Sequence, residues 1–293
     1  METVSTAFKH KRKLKVVLAF TCSYLIAEVV GGIWTGSLAL LADAGHMLTD
    51  VGGLALALFA INMASRPPSA EKTYGYYRVE ILAALTNALV LIGISVYVLY
   101  EAYLRFLDPP EVQSKGMLIV AAIGLVVNIL GMLILRGASK GSLNMKGAYF
   151  EVLSDMLTSI GVIVAGIIML TTGWYYADPL ISAGIGLLIL PRTWILLKDS
   201  VSVLLEATPK DVNVEALKSA ILGLEKVKGV YDLHVWSLTS GINAMSVHII
   251  VSGDSEYDEL LNTITEYIKS NFTITHTTLQ LEYSDKLEPH AGW

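Results

Sequence analysis

Two pairs of ionisable residues stand four positions apart inside long apolar stretches of this sequence. His46 and Asp50 form the first pair, and Glu151 and Asp155 form the second. Residues four positions apart lie on the same face of a helix, with Cβ atoms roughly 6 Å apart. Two such helices packed face to face would offer three carboxylates and one imidazole, a ligand set that suits a tetrahedral divalent cation.

The free energy needed to bury these ionisable side chains in a membrane argues against a purely structural role for them. An ionisable side chain at membrane depth costs on the order of 3 kcal/mol even on permissive scales. Neither stretch contains Lys or Arg, so an ion pair within them does not account for the acids. Without a cation, three carboxylates would repel one another and at least one should be protonated. A bound dication would displace that proton, so the pattern predicts a metal site coupled to proton exchange.

Three further polar residues lie in the apolar stretches. Glu28 and Asp43 could line a water-filled vestibule or support a metal ligand from behind. Asn128 could act in the same way, although single amides such as Asn87 and Asn128 also suit hydrogen bonds between helices.

Six apolar segments carry these residues. The chain of 293 residues is 54% hydrophobic and 16% charged, whereas an average soluble domain is about 25% charged. Each segment is near or above the roughly 20 residues that span a bilayer. Breaks rich in Pro and Gly separate them. The segments cover residues 14–34, 38–63, 79–106, 116–136, 147–172 and 178–204, which predicts an all-α, six-helix transmembrane domain over residues 1–208.

Positive charge alternates between the connections. Lys and Arg are concentrated before the first segment and in the connections between segments 2 and 3 and between segments 4 and 5. Because such loops stay in the cytoplasm, the pattern predicts a multi-pass inner (plasma) membrane protein in contact with lipid, with both termini cytoplasmic. The first segment lacks a cleavage pattern and is expected to be retained. The single cysteine, Cys22, excludes a disulfide or a thiolate metal cluster within one chain.

Residues 209–293 have ordinary charge density and no spanning segment. Their periodicity predicts an order of helix, strand, strand, helix, strand, a ferredoxin-like α/β sandwich with one open face. The elements cover residues 214–224, 230–238, 244–251, 258–271 and 275–283. We expect this domain in the cytoplasm.

Three stretches resemble the cation diffusion facilitator family, in its bacterial zinc, cobalt and cadmium efflux branch. They are SLALLADAGHMLTD at 37–50, TYGYYRVE at 73–80 and GAYFEVLSD at 147–155. The resemblance covers essentially the whole chain. It implies a homodimer that exports Zn²⁺ or a related divalent cation, such as cobalt, cadmium or nickel, in exchange for protons by alternating access. It assigns the transport site to His46, Asp50, Glu151 and Asp155.

The sequence departs from the family pattern at the transport site and in two connections. Many members carry His where this chain has Glu151, and an additional carboxylate could broaden the site toward harder metals. The connection between segments 4 and 5 lacks a His-rich run. Lys72 and Tyr76 stand where a metal site of some members, between segments 2 and 3, needs His.

Histidines also fall on all three strands of the C-terminal domain. His234, His248 and His276 could converge with Glu282 if the strands adjoin, and the resemblance implies a domain that dimerises and binds regulatory Zn²⁺. The alternative is three ordinary strand histidines. Arg78 and Glu206 could form a charge interlock at the base of the dimer, as in related proteins, or could be two solvated charges.

Two other functions remain open on sequence grounds. Buried acids would also serve a proton-coupled exporter of organic cations, although such sites need aromatic walls that segments 2 and 5 barely provide. A membrane protein that senses metal without transporting it is the second alternative. We find no nucleophile or phosphate-binding loop that would indicate an enzyme, and we expect no nucleic-acid partner.

Overall fold

The computed structural model describes residues 3–64, 66–136, 143–252 and 257–282. The side chains of residues 3–17, 50, 53–58, 60–62, 64, 143–148 and 151 lie outside this description. The chain divides into two compact units, one formed by Met1–Leu56 with Thr86–Leu197 and the other by Ala57–Leu85 with Lys198–Trp293.

Six long helices occupy the six predicted apolar segments. They are α1 (Thr3–Thr35), α2 (Leu38–Ala64), α3 (Arg78–Leu107), α4 (Ser114–Arg136), α5 (Leu143–Thr172) and α6 (Ala177–Leu204). Five of them contain a stretch long and apolar enough to cross a membrane, and the described apolar stretch of α2 covers Leu38–Thr49. The predicted helical transmembrane architecture is confirmed. Helix α1 begins well before residue 14, because hydropathy detects the apolar part of a helix and not its charged extension.

Small residues let α1 and α4 approach closely in the first unit. A Cβ atom added to Gly116 would lie 2.8 Å from Cγ2 of Thr35, and one added to Gly124 would overlap the Tyr24 hydroxyl. Both glycines are buried on one face of α4. The core of this unit then continues between α2, α4 and α5 through residues such as Leu40, Met117 and Val162.

The small α/β domain lies within the second unit. Its elements are α7 (Val214–Leu222), β1 (Val227–Thr239), β2 (Ile242–Val251), α8 (Tyr257–Asn271) and β3 (Ile274–Glu282). The sheet order is β1-β2-β3, with β1 antiparallel and β3 parallel to β2. This confirms the predicted order of helices and strands.

One face of this sheet is covered by the two helices. Met245, Val247 and Ile249 of β2 are buried in the same core as Ile221 of α7 and Ile264 of α8. Since side chains alternate along a strand, the intervening residues of β2 lie on the other face. That open face carries the polar cluster described below.

Candidate metal-transport site

His46 and Asp155 face each other between α2 and α5. His46 is 8% exposed and Asp155 is 5% exposed, and Nε2 of the imidazole lies 3.7 Å from Oδ1 of the carboxylate. Two ligands of a tetrahedral zinc ion, each about 2.0–2.1 Å from the metal, would lie about 3.4 Å apart. The observed separation is therefore close to what two ligands of one cation require.

Asp50 and Glu151 belong to the same two helices, but their side chains lie outside the described residues. The backbone of α2 continues through Asp50 and that of α5 through Glu151, so each stands four positions from its predicted partner on an unbroken helix. Among the side chains that the structure does describe, no three or more of His, Cys, Asp and Glu are grouped to hold a metal.

Asp43 is linked to α5 by a threonine. It is 1% exposed, and its Oδ1 lies 2.7 Å from the Thr158 hydroxyl. The same hydroxyl lies 2.9 Å from the backbone carbonyl of Asp155. Partners of this kind, which hold a ligand-bearing turn from behind, tune metal sites. The predicted supporting role of Asp43 thus has a contact through which it can act.

Glu28 and Asn128 lie on two other helices of the same bundle, α1 and α4. Glu28 of α1 is fully buried and interacts at close range with Tyr24 and Asp43. The amide of Asn128 on α4 donates a hydrogen bond of 3.3 Å to the hydroxyl of Ser159 on α5. Asn128 therefore makes the interhelical bond that was one of its two predicted roles.

A further buried carboxylate, Asp178, has a structural role that sequence reasoning missed. It is fully buried at the start of α6. Its oxygens accept hydrogen bonds from the Ser37 hydroxyl at 2.6 Å and from the backbone N–H groups of Leu38 and Ala39 at 2.8 and 3.2 Å. These bonds cap the N-terminus of α2, where unsatisfied donors and the positive end of the helix dipole favour an anion.

Arg105 of α3 completes this network. Its guanidinium lies 3.5 Å from Asp178, donates to the Gly36 carbonyl at 2.6 Å and pairs with Glu101 at 3.1 Å. Three helices are thereby joined at the end of α2 that precedes His46. The available sequence signal was Ser37, a typical helix-capping residue directly before an apolar helix.

The second unit contains a polar cluster on the open face of the sheet. Nδ1 of His248 lies 2.8 Å from the Glu282 carboxylate, and Nε2 of His248 lies 3.8 Å from Asp232. Nε2 of His234 lies 2.9 Å from the same Asp232. The structure therefore links His248 directly to Glu282 and links both histidines to Asp232, which sequence reasoning did not select. As the described side chains lie, these pairwise contacts do not form a group of three or more ligands that could hold a metal.

Tyr231 belongs to this cluster as well. Its hydroxyl donates a 2.7 Å hydrogen bond to Glu282. That bond, with the nearby negative charge, raises the pKa of Tyr231 to about 12. In turn, the hydrogen bonds from Tyr231 and His248 lower the pKa of Glu282 below its ordinary value. Glu282 is thus an ionised acceptor, as a metal ligand must be.

His276 lies apart from the other two histidines. On β3 it pairs with Ala244 of β2, whereas His248 pairs with Gln280. Four residues of strand separate the two positions, which is roughly 13 Å along the sheet. The strands adjoin as expected, but their register keeps His276 away from the cluster.

Arg78 and Glu206 form the predicted contact within this unit. Nη2 of Arg78 lies 2.7 Å from Oε1 of Glu206, with side chains 40% and 59% exposed. Nearby, Thr239 at the end of β1 donates a 2.6 Å hydrogen bond to Glu80 in the first turn of α3. The pair is therefore an exposed ion pair within one chain.

Comparison with known proteins yields two family models that together span most of the chain. The cation efflux transmembrane domain matches residues 14–205. The cation efflux protein cytoplasmic domain matches residues 209–284. The second model begins shortly before α7 and ends just after β3.

Curated relatives match over nearly the full length. The metal cation efflux system protein CzcD of Cupriavidus metallidurans is 50% identical, over 93% of this chain and 87% of its own. A cadmium, cobalt and zinc/H(+)-K(+) antiporter of Bacillus subtilis is 44% identical, over 93% and 89%. The zinc transporter ZitB of Escherichia coli is 40% identical, over 93% and 87%.

Proposed function

Because this chain belongs to the cation efflux family, whose cation diffusion facilitator pattern its sequence carries, we propose that it exports divalent metal cations from the cytoplasm in exchange for protons. Zinc is the first expected substrate, with cobalt and cadmium next and nickel after them. The observation that carries the proposal is the buried pair of His46 and Asp155, which face each other across two helices at 3.7 Å. Relatives named for zinc, cobalt and cadmium support the choice of metals.

The proposed transport site has four ligands. His46 and Asp50 come from α2, and Glu151 and Asp155 come from α5. Imidazole nitrogen and carboxylate oxygen together suit zinc and similar divalent cations. Soft cations that prefer thiolate ligands are disfavoured, because the proposed site has none. Asp43 and Thr158 hold the turn of α5 that carries Asp155.

Proton exchange follows from the charge of this ligand set. Three carboxylates cannot all remain ionised in a low-dielectric pocket without a cation. When the dication leaves on the outer side, protons neutralise the acids, and the protonated site returns to the inner side. Rearrangement of the helices that carry the ligands then gives alternating access without any change in a covalent bond.

The surroundings of the site complete the proposal. We propose a homodimer in the inner (plasma) membrane with both termini in the cytoplasm, since the Lys- and Arg-rich connections favour that orientation. Residues 1–208 would form the transport domain, in contact with lipid, and residues 209–293 the cytoplasmic domain. The exposed pair of Arg78 and Glu206 would stand near the base of the dimer.

The cytoplasmic domain is proposed to bind regulatory zinc at His234, His248 and Glu282, with Asp232 between the two histidines. The short contacts within this group support the proposal. His276 would contribute only through the partner chain or a separate site, because its register places it elsewhere. Zinc binding measured on the full chain should fall by one ion per protomer after His248→Ala, and His276→Ala is the matched comparison.

The experiment that tests the transport site uses proteoliposomes loaded with a zinc-sensitive dye. Asp50→Ala and Asp155→Ala should each abolish zinc entry, because each removes one of the proposed ligands. Glu111→Gln, an exposed acid between α3 and α4, is the control and should transport normally. Zinc transport that survives both alanine changes would contradict the site, and zinc binding without any transport would favour a sensor.

Metal preference is tested at Glu151. The Glu151→His variant exchanges an oxygen ligand for a nitrogen ligand, so we expect competition by cobalt, cadmium and nickel to weaken relative to zinc. The measurement is zinc uptake with each competing metal beside the wild type. An unchanged competition profile would mean that Glu151 does not bind the transported cation.

A further inference from the structure

Glu28 of α1 is a buried acid outside the four-residue metal set. Its side chain is fully buried, and neither carboxyl oxygen makes a hydrogen bond of good geometry with any residue that the structure describes. The hydroxyl of Tyr24, one helical turn earlier, is also buried and also makes no hydrogen bond of good geometry with a described residue. A charged carboxylate without such partners is strongly disfavoured in a membrane interior.

The ionisable groups near Glu28 are two acids and a phenol. Asp43 of α2 and Tyr24 of α1 interact with it at close range, and the charge of Asp155 on α5 also acts on it. Helix α4 packs against α1 and places Gly124 against the Tyr24 hydroxyl. Between residues 116 and 135, α4 has no ionisable residue. The ionisable groups around Glu28 in the described structure are therefore acids and a phenol, with no cationic side chain among them.

We propose that Glu28 binds one of the protons that are exchanged for the metal, so that this proton and the cation occupy different residues. The inference rests on the proposed antiport and adds a separate proton site to it. Without metal, the carboxyl group of Glu28 keeps its O–H bond. When a dication binds between α2 and α5, its positive charge favours the carboxylate, the O–H bond breaks and the proton passes to water.

A short chain of contacts connects Glu28 to the metal site. Glu28 interacts with Asp43, whose Oδ1 lies 2.7 Å from the Thr158 hydroxyl. That hydroxyl is also 2.9 Å from the carbonyl of Asp155. A hydroxyl has a single proton and donates to one of the two oxygens at a time. Which of the two oxygens it bonds depends on the charge beside Asp43. The protonation state of Glu28 therefore affects the hydrogen bonding of the turn that carries Asp155.

The test is a count of protons released when zinc binds to the purified full chain. Calorimetric titration in buffers of different ionisation enthalpy gives this number for the wild type, for Glu28→Gln and for the exposed control Glu111→Gln. The cytoplasmic cluster contributes equally to all three proteins, so only the differences between them are interpreted.

We expect Glu28→Gln to bind zinc but to release one proton fewer per zinc than the wild type. Its zinc Kd should accordingly change about 10-fold less for each pH unit. The control should match the wild type. The same variant reconstituted in proteoliposomes should move one proton fewer per zinc.

Two results would overturn the inference. Proton release equal to that of the wild type would mean that Glu28 does not exchange its proton, and would leave the antiport intact. Loss of zinc binding in a folded Glu28→Gln protein would make Glu28 part of the metal site itself. Conversely, the expected difference in release together with no zinc flux in the wild type would refute the proposed transport and keep the proton assignment.

A measurement on the wild type avoids dependence on a variant that fails to fold. Carbodiimides modify buried protonated carboxyl groups, and mass spectrometry locates the product. We expect modification at Glu28 that zinc slows strongly. The proposal would be contradicted if Glu28 were not modified, or if it were modified equally fast with and without zinc.

Discussion

Asp178 offers the sharpest test of how the helix bundle is held together. Replacement of Asp178 by Ala removes the acceptors of three hydrogen bonds at the start of α2 and the buried partner of Arg105. Loss of a helix cap costs about 1 kcal/mol, and breaking a buried ion pair costs about 3–5 kcal/mol. Because Arg105 keeps Glu101 and the Gly36 carbonyl, we expect the lower end of the combined cost, about 4 kcal/mol in total.

The assay is unfolding of the purified full chain from mild detergent by added sodium dodecyl sulfate, followed by Trp fluorescence. Asp178→Asn keeps an acceptor oxygen but loses the charge, so it should cost about half as much as Asp178→Ala. Asp199→Ala is the control, because its partner Lys210 is 78% exposed and such surface pairs contribute less than about 1 kcal/mol.

A free energy of unfolding of Asp178→Ala within about 1 kcal/mol of the wild-type value, which is the small change expected for the surface control, would refute this reasoning. Such a result would mean that the carboxylate does not hold the end of α2. Zinc affinity provides a second readout, since a displaced α2 moves His46. We expect weaker zinc binding in Asp178→Ala and near-normal binding in Asp178→Asn.

Three other predictions concern separate parts of the chain. Gly124→Ala should displace a tyrosine hydroxyl and reduce stability by about 1–3 kcal/mol in the same assay, whereas Gly93→Ala, with open space around it, should be neutral or better. Thr158→Val should weaken zinc binding about 10-fold or more in calorimetry, because a group behind a ligand is lost; unchanged affinity would contradict this. The lowered pKa of Glu282 stabilises the fold above about pH 4.3, the ordinary value, and this contribution disappears as pH falls through the lower folded pKa. The Tm deficit of Glu282→Gln should therefore be larger near neutral pH than near pH 3, and an equal deficit at both would count against the contact with Tyr231.

Local pattern was sufficient to predict most elements of this fold. The length of the apolar segments and the Gly and Pro residues that follow them predict where α1 and α4 end and how far α6 extends. These signals act within a few residues of the helix end. In the second unit, the apolar residues Met245, Val247 and Ile249 alternate with other residues along β2 and so share a face, and all three are buried. Asn213, a typical helix-capping residue directly before α7, accepts the N–H of Ala216 at 3.0 Å.

Contacts that depend on the packing of distant segments were not predictable in this way. Asp178 reaches Ser37 across 141 positions, and nothing in the neighbourhood of either residue encodes that distance. The separation of His276 from His248 depends on strand register, which alternation alone leaves open. Glu28 was recognised as a costly buried acid, but its position beside Tyr24 and Asp43 required the arrangement of α1, α2 and α4.

One measurement tests the central claim most directly. Proteoliposomes that contain both a zinc-sensitive and a pH-sensitive dye report the two fluxes of the wild type and of Asp155→Ala in the same sample. We predict that zinc entry into wild-type vesicles is accompanied by proton movement in the opposite direction, and that Asp155→Ala abolishes both. Zinc entry without proton movement, or equal fluxes in the two proteins, would contradict a metal/proton exchange through the site between α2 and α5.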